Sequence, residues 1–199
     1  MAYIANTAFE TKVSNHEFDS QSNITGVFYN GSDAEEICSA GFLCKKSALL
    51  PNEGYTGVNN NNTWKMIAAV AGDLMDTEIY ACNTFDVNEV QDPVTGQVFK
   101  VGANTLGLPA PAGRRVTYTK IKFIEGGHYR FGIGNATTTL GSNKFLTVKD
   151  GQLLPAAAKP TTNGTPYFTV LGTGNFTEGA YGSFGYIDVE AHFAVVNAG

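Results

Sequence analysis

Charged residues are scarce in this chain, and acidic residues outnumber basic ones. Asp, Glu, Lys and Arg make up 16% of its 199 residues, against roughly 25% in an average soluble domain. The formal net charge of −5 argues against a nucleic-acid-binding protein, because phosphate binding needs a clustered excess of Lys and Arg. A surface with few charges suits a protein that packs against neighbours in an assembly.

Cysteines are few, and none of them forms a Cys-x-x-Cys pair. A disulfide framework and a zinc site both need a denser pattern, so we interpret each thiol as a small buried side chain. The three cysteines are Cys38, Cys44 and Cys82.

Histidines are equally few, and no nucleophile motif accompanies them. The nearest approach to a catalytic constellation is Asp188, Glu190 and His192, which alternate along one predicted strand and so share one of its faces. We interpret this row as an exposed polar face whose opposite side is apolar. The sequence therefore predicts no catalytic residue, no metal site and no cofactor, and a protein that is not an enzyme.

Long apolar runs are also lacking. No uninterrupted apolar segment approaches the roughly 18 residues of a membrane span. The first residues contain no basic region followed by an apolar run, so no signal peptide is expected. We therefore expect no membrane partner, and synthesis and folding in the cytoplasm.

Strand patterns are abundant, and they are clearest in the second half of the chain. Residues 116–124 alternate apolar and polar side chains, Gly126 and Gly127 supply a turn, and residues 128–133 alternate again; this predicts a β-hairpin. A second hairpin is predicted at the turn of residues 149–152. Two further strands are predicted at residues 166–172 and 183–193.

The first half predicts strands at residues 24–29 and 78–87, and the second of these is expected to pair with residues 97–101. Residues 63–71 fit either a helix, which their Ala and Met favour, or a strand with Trp64 and Val70 on one face. The fold class that follows is all-β, built as an antiparallel β-sandwich or as barrel-like lobes with an extended N-terminal arm. The predicted units are the arm at residues 1–22, a first lobe at 23–112 and a second lobe at 113–199. The two lobes form either two domains or one.

The arm contains apolar residues too sparse to close a core of their own. It is either a frayed terminus or a segment that lies on a partner, whose sheet could satisfy its backbone groups by strand addition. The candidate partner-binding residues are Tyr3, Ile4, Phe9, Val13 and Phe18.

A candidate interface comes from side chains on the predicted hairpin and the last strands. Lys120, Lys122 and Arg130 point away from the apolar face of the hairpin and could meet an acidic neighbour. Tyr181 and Phe184, with Tyr186 and the single Trp64, form an aromatic set. Such residues on a sheet belong to a core, a subunit interface or a sugar-binding surface.

The order of these segments resembles the head decoration (cement) and capsid-associated proteins of tailed bacteriophages. The residues that carry the resemblance are the sparse N-terminal arm, residues 39–44 (SAGFLC), 77–82 (TEIYAC), the predicted hairpin at 116–133, residues 168–172 (FTVLG) and residues 186–190 (YIDVE).

The resemblance implies a structural virion protein that binds the major capsid protein on the outside of the capsid and reinforces it. It also implies a homo-oligomer, with a trimer favoured, and synthesis in the host cytoplasm. Two alternatives remain: a phage tail protein, in the tube or associated with the tail, and a glycan- or receptor-binding β module.

Overall fold

The computed structural model describes residues 7–11, 23–51, 62–83, 89–91, 98–100, 109–177 and 183–195. Within them the chain forms β-strands and one short 3-10 helix at Ile133–Asn135, which confirms the all-β prediction. In chain order the strands are β1 (Phe9–Thr11), β2 (Asn23–Phe28), β3 (Leu43–Leu49), β4 (Thr63–Ala68), β5 (Ile79–Asn83), β6 (Glu89–Gln91), β7 (Val98–Lys100), β8 (Val116–Lys120), β9 (His128–Gly132), β10 (Phe145–Lys149), β11 (Gln152–Ala156), β12 (Pro166–Thr177) and β13 (Ser183–Phe193).

Five strands close a small barrel in the order β2-β4-β3-β5-β8. All neighbouring pairs are antiparallel except β2 and β4, which run parallel. Aromatic rings, thiols and Met66 fill its interior. The interior cluster comprises Phe28, Cys38, Phe42, Cys44, Met66, Tyr80, Cys82, Ala110, Val116 and Tyr118.

The other described strands, apart from β6 and β7, form a six-stranded antiparallel sheet in the order β1-β9-β13-β12-β10-β11. The hairpin predicted at residues 149–152 is confirmed, since Lys149 pairs with Gln152. Asp150 and Gly151 between them have φ of 49° and 78°, as a type I′ turn requires. The strands predicted at residues 166–172 and 183–193 are β12 and β13, which pair along their length.

The hairpin predicted at residues 116–133 is wrong in its pairing, although both of its strands exist. β8 pairs with β2 and β5 in the barrel, whereas β9 pairs with β1 and β13 in the sheet. Residues 121–127 carry the chain from barrel to sheet, with Ile121 and Phe123 buried. Alternation identifies a strand but not its partner, and here the apolar faces pack in two different layers.

The partner predicted for the strand at residues 78–87 is also wrong. β5 pairs with β3 and β8, whereas β7 pairs with β6 in a separate two-stranded ribbon. Ile79 and Ala81 face the sheet, and Tyr80 and Cys82 face the barrel interior. Because β5 is covered on both faces, it is a central strand rather than one arm of a hairpin.

Barrel and sheet share one apolar core. Its buried residues come from both parts, including Leu43, Ile79, Phe131 and Phe168. The turn at Gly151 also bonds to the barrel: its carbonyl accepts from the Leu43 N–H at 2.7 Å, and its N–H donates to the Ala69 carbonyl at 2.8 Å. The predicted boundary at residues 112/113 does not divide these layers, because β8 completes the barrel.

Candidate interaction surface

Arg130, predicted to face an acidic neighbour, is paired within the chain. It lies opposite Asp188 on the adjacent strand, and its Nε and Nη2 donate to the two Asp188 oxygens at 2.6 and 2.7 Å. Glu10 on β1 lies 3.8 Å from Nη1, and the guanidinium stacks 3.7 Å from the Tyr186 ring centroid. The hydrogen bond to Asp188 raises the pKa of Arg130. Arg130 therefore already has an acidic partner within its own chain, a bidentate carboxylate that occupies its donors. Its contact with an acidic neighbour stays a prediction.

The rest of the polar row lies on the same outer face of the sheet. The Glu190 carboxylate lies between two imidazoles, 3.9 Å from His128 Nε2 and 3.5 Å from His192 Nε2. The His192 ring stacks on Tyr167 at 5.4 Å between centroids. Ile187, Val189 and Ala191, on the opposite side of β13, are buried, as the alternation predicted.

Lys120 is paired as well, but at the barrel. Its Nζ lies 2.6 Å from Glu78 Oε1, and Lys46 Nζ lies 2.7 Å from Oε2. The Tyr80 hydroxyl donates to the same carboxylate at 2.7 Å. Hydrogen bonds from Lys120, Lys46 and Tyr80 lower the pKa of Glu78 from 4.5 to about 2. Lys120 and Arg130 thus belong to different layers, and the predicted common basic face of the hairpin is not formed.

The most exposed apolar surface with described geometry surrounds Ile124, in the connection between barrel and sheet. Ile124 is 80% exposed and Met75 is 57% exposed. Both line a hollow of about 260 Å³ whose other apolar walls include Phe193. The charged residues in its walls are Glu78, Lys120, Lys122 and Glu125. We call the set Met75, Glu78, Lys120, Lys122, Ile124, Glu125 and Phe193 the Ile124 surface.

A second hollow, of about 440 Å³, opens beside β2 and β4 and is lined by Tyr29, Asp33, Lys65 and Asp150, among others. Asp33 has a φ of 63°, but a turn explains it, because the Asn30 side chain accepts the N–H groups of Ser32 and Ala34. Within this hollow, Lys65 pairs with Asp33 and lies 5.0 Å over the Tyr29 ring.

The thiols are buried, as predicted, and lie in the barrel interior. Cys38, Cys44 and Cys82 are all free and buried. Burial raises the pKa of Cys44 and of Cys82 well above the ordinary value, which keeps these two side chains neutral. Cys44 and Cys82 therefore contribute to packing rather than to reactivity.

Phe9, predicted to bind a partner, is part of the protein's own core. It is 4% exposed and packs against Tyr129 and Phe131. The prediction for Phe9 is therefore wrong, because β1 completes the edge of the sheet beside β9. The other four predicted arm residues, Tyr3, Ile4, Val13 and Phe18, lie outside the described residues.

The aromatic set predicted from the sequence does not form one surface in the described part of the chain. Trp64 lies on β4 of the barrel and packs against its core, whereas Tyr186 lies on β13 of the sheet. Tyr181 lies outside the described residues, and only the backbone of Phe184, which pairs with Phe176, is described.

Sequence analysis missed Ile124 and Met75 as surface residues. A signal for Ile124 was present: the two-residue period places it on the same face as Lys120 and Lys122. A single aliphatic side chain on a charged face predicts exposure only, because isolated apolar side chains are common on protein surfaces. Met75 follows Leu74 in an irregular segment, and no periodicity marks it.

No family model matches the chain, and neither a curated protein nor a solved structure matches it. In the described part of the chain, no group of three or more His, Cys, Asp or Glu side chains is arranged to hold a metal ion. No helix in the same residues is long and apolar enough to cross a membrane.

Proposed function

We propose that this chain is a structural protein of a bacteriophage virion. It binds the major capsid protein on the outer surface of the capsid, after synthesis in the host cytoplasm, and reinforces the shell by strand addition without catalysis. The observation that carries this proposal is the ribbon formed by β6 and β7. Within the described residues, it pairs with neither the barrel nor the six-stranded sheet.

A two-stranded ribbon is marginally stable alone, because it lacks a third strand or a packed layer to bury one of its faces. The β6–β7 pairing covers three residue pairs, centred on Val90 and Phe99. No other described strand pairs with the outer edge of either strand, and the backbone groups of such an edge can accept a further strand. A capsid protein that supplies this strand would stabilise the ribbon and be held by it.

Strand addition to a partner was predicted for the N-terminal arm, and it is proposed here for the ribbon. Residues 9–11 already pair with β9, so deleting the segment up to residue 20 would also remove core side chains. A loss of capsid binding could then not be distinguished from a loss of folding. The arm hypothesis for Tyr3, Ile4, Val13 and Phe18 is tested instead by changing these four residues together to Ser, which leaves Phe9 in place.

The test of the ribbon is a pair of variants at Val90 in the full chain. Proline removes the backbone N–H and is tolerated poorly in paired strands, whereas alanine keeps the N–H. Phage heads lacking the protein are mixed with each variant, and occupancy is measured by co-sedimentation. Val90→Pro should lose most of its occupancy, and Val90→Ala should bind like the wild type.

Equal occupancy of wild type and Val90→Pro would contradict strand addition through the ribbon. Failure of the wild-type protein to bind heads at all would contradict the capsid role. Rings or tubes formed by the purified protein, seen by electron microscopy, would favour the tail alternative.

A further inference from the structure

The three cysteines of the chain meet in the barrel interior. Cys38, Cys44 and Cys82 belong to one buried cluster, and each is at most 1% exposed. The Cys82 sulfur lies 4.0 Å from the Cys38 carbonyl oxygen, whereas the Cys44 thiol is directed at the Phe42 carbonyl oxygen, 3.7 Å away. Cys82 is therefore the thiol placed against Cys38, although 44 residues separate the two along the chain.

The three thiols differ in their protonation. Burial raises the pKa of Cys38, but hydrogen bonds from the other two thiols and from the Tyr118 hydroxyl outweigh it and lower this pKa to about 5. The buried Tyr118 hydroxyl has no hydrogen-bond partner apart from these thiols in the described residues. Because burial raises the pKa of Cys44 and Cys82, the cluster holds one thiolate beside two neutral thiols at pH 7. The thiolate is the nucleophilic form of cysteine.

One short bridge separates Cys38 from the surface. Cys38 exchanges two backbone hydrogen bonds with Ala110, of 3.0 and 2.7 Å, in an isolated pair outside the named strands. Ile37 and Pro111, which flank this pair, are exposed. Opening of the pair is a local event, so a small uncharged oxidant reaches Cys38 without unfolding of the barrel, whereas a bulky reagent does not.

We propose that Cys38 and Cys82 form a redox-sensitive pair, which closes to a disulfide inside the barrel when hydrogen peroxide is present. The Cys38 thiolate attacks one peroxide oxygen, which forms a sulfenic acid and releases hydroxide. The neutral Cys82 thiol, unreactive toward peroxide itself, then condenses with the sulfenic acid beside it: the S–S bond forms, the S–O bond breaks, and water leaves with the Cys82 proton. Two thiols and one peroxide thus give one disulfide and two waters. The pair is independent of capsid binding through the ribbon.

The first test exposes the reduced, folded full chain to hydrogen peroxide, removes the peroxide with catalase, unfolds the protein and alkylates its remaining thiols. Mass spectrometry should then find one free thiol, at Cys44, and a cross-linked peptide pair that contains Cys38 and Cys82. Dithiothreitol should restore the other two thiols. The disulfide should raise Tm by about 4–16 °C over the reduced protein, because it removes chain entropy from the unfolded state.

The second test identifies the partner of Cys38 with two matched variants, each of which replaces one buried thiol by a methyl group. Cys82→Ala should form no disulfide and should leave a sulfenic acid at Cys38, which dimedone traps. Cys44→Ala should form the disulfide as the wild type does. Melting curves of the reduced variants show whether each is folded before peroxide is added.

Three free thiols in the wild type after peroxide treatment would overturn the proposal, and so would a cross-link between Cys38 and Cys44. A disulfide that persists in Cys82→Ala would have the same consequence. A disulfide-linked dimer on non-reducing electrophoresis would place the reactive thiol at the surface and would also contradict a pair inside the barrel. Because these measurements use the isolated protein, their outcome is separate from that of the capsid-binding experiments.

Discussion

Replacing Phe9 by alanine tests whether the start of the chain belongs to the core or to a partner-binding arm. The Phe9 side chain is 4% exposed, and its ring centroid lies 5.8 Å from that of Tyr129 and 5.3 Å from that of Phe131. The neighbouring Ala8 is fixed at both backbone groups: its N–H donates to Asn135 Oδ1 at 3.1 Å, and its carbonyl accepts from the Gly132 N–H at 3.0 Å.

Removing a buried phenylalanine ring costs about 3–5 kcal/mol, from lost transfer energy and from the cavity left behind. In a protein of this size each kcal/mol lowers Tm by about 2–4 °C, so Phe9→Ala should lower Tm by about 6–20 °C. Thermal unfolding of the full chain, followed by circular dichroism, measures this shift.

Leu171→Ala provides the control, because Leu171 is 51% exposed and a surface change of this kind is worth within about 0.5 kcal/mol. A Phe9→Ala protein that melts with the wild type would refute the placement of Phe9 in the core. If the same variant also lost capsid occupancy, Phe9 would belong to the binding arm predicted from the sequence.

Three further predictions concern the barrel and its junction with the sheet. Because the pKa of Glu78 is lowered from 4.5 to about 2, its ionised form stabilises the fold above pH 4.5, and this contribution is lost as the pH falls to about 2. Glu78→Gln should therefore have a lower Tm than the wild type at pH 7, and its Tm should change less between pH 4.5 and pH 2. Thermal melts at a series of pH values measure both effects. Gly151→Ala should destabilise by about 1–3 kcal/mol more than Gly141→Ala in urea unfolding, since both glycines have positive φ but only a Cβ at Gly151 overlaps the Phe42 ring; equal losses would contradict this. A water-soluble disulfide reagent should label no thiol in the native protein and all three cysteines after denaturation; rapid native labelling would contradict burial of Cys38, Cys44 and Cys82.

Strand positions could be predicted from the sequence, whereas strand partners could be predicted only where a short turn fixes them. Only Asp150 and Gly151 separate β10 from β11. A two-residue turn of this kind joins antiparallel neighbours, so β10 must pair with β11. The segment between β8 and β9 contains seven residues, 121–127, and a connection of that length allows either a hairpin or a crossing between layers. Burial of Ile121 and Phe123 between barrel and sheet decides for the crossing.

The candidate site was predictable in part. A charged row on β13 and the burial of its opposite face follow from alternation. The partners of Arg130 and Lys120 do not, because Asp188 and Glu78 are 58 and 42 residues away along the chain, and only the tertiary structure brings them into contact. The resemblance to capsid proteins favours a binding arm that includes Phe9. Phe9 instead packs in the core, against the rings of Tyr129 and Phe131 on β9.

The way in which barrel and sheet are joined explains why the predicted boundary at 112/113 does not separate them. Residues that precede the predicted boundary at 112/113, among them Leu43 and Ile79, bury their side chains against Phe131 and Phe168, which follow it. β8 follows the boundary and closes the barrel, whereas β1 lies at the far N-terminal end and completes the sheet. Each layer therefore needs strands from both halves of the chain, so the two layers should fold as one unit. Within the described residues, the ribbon of β6 and β7 pairs with strands of neither layer, and the proposed strand addition rests on this observation.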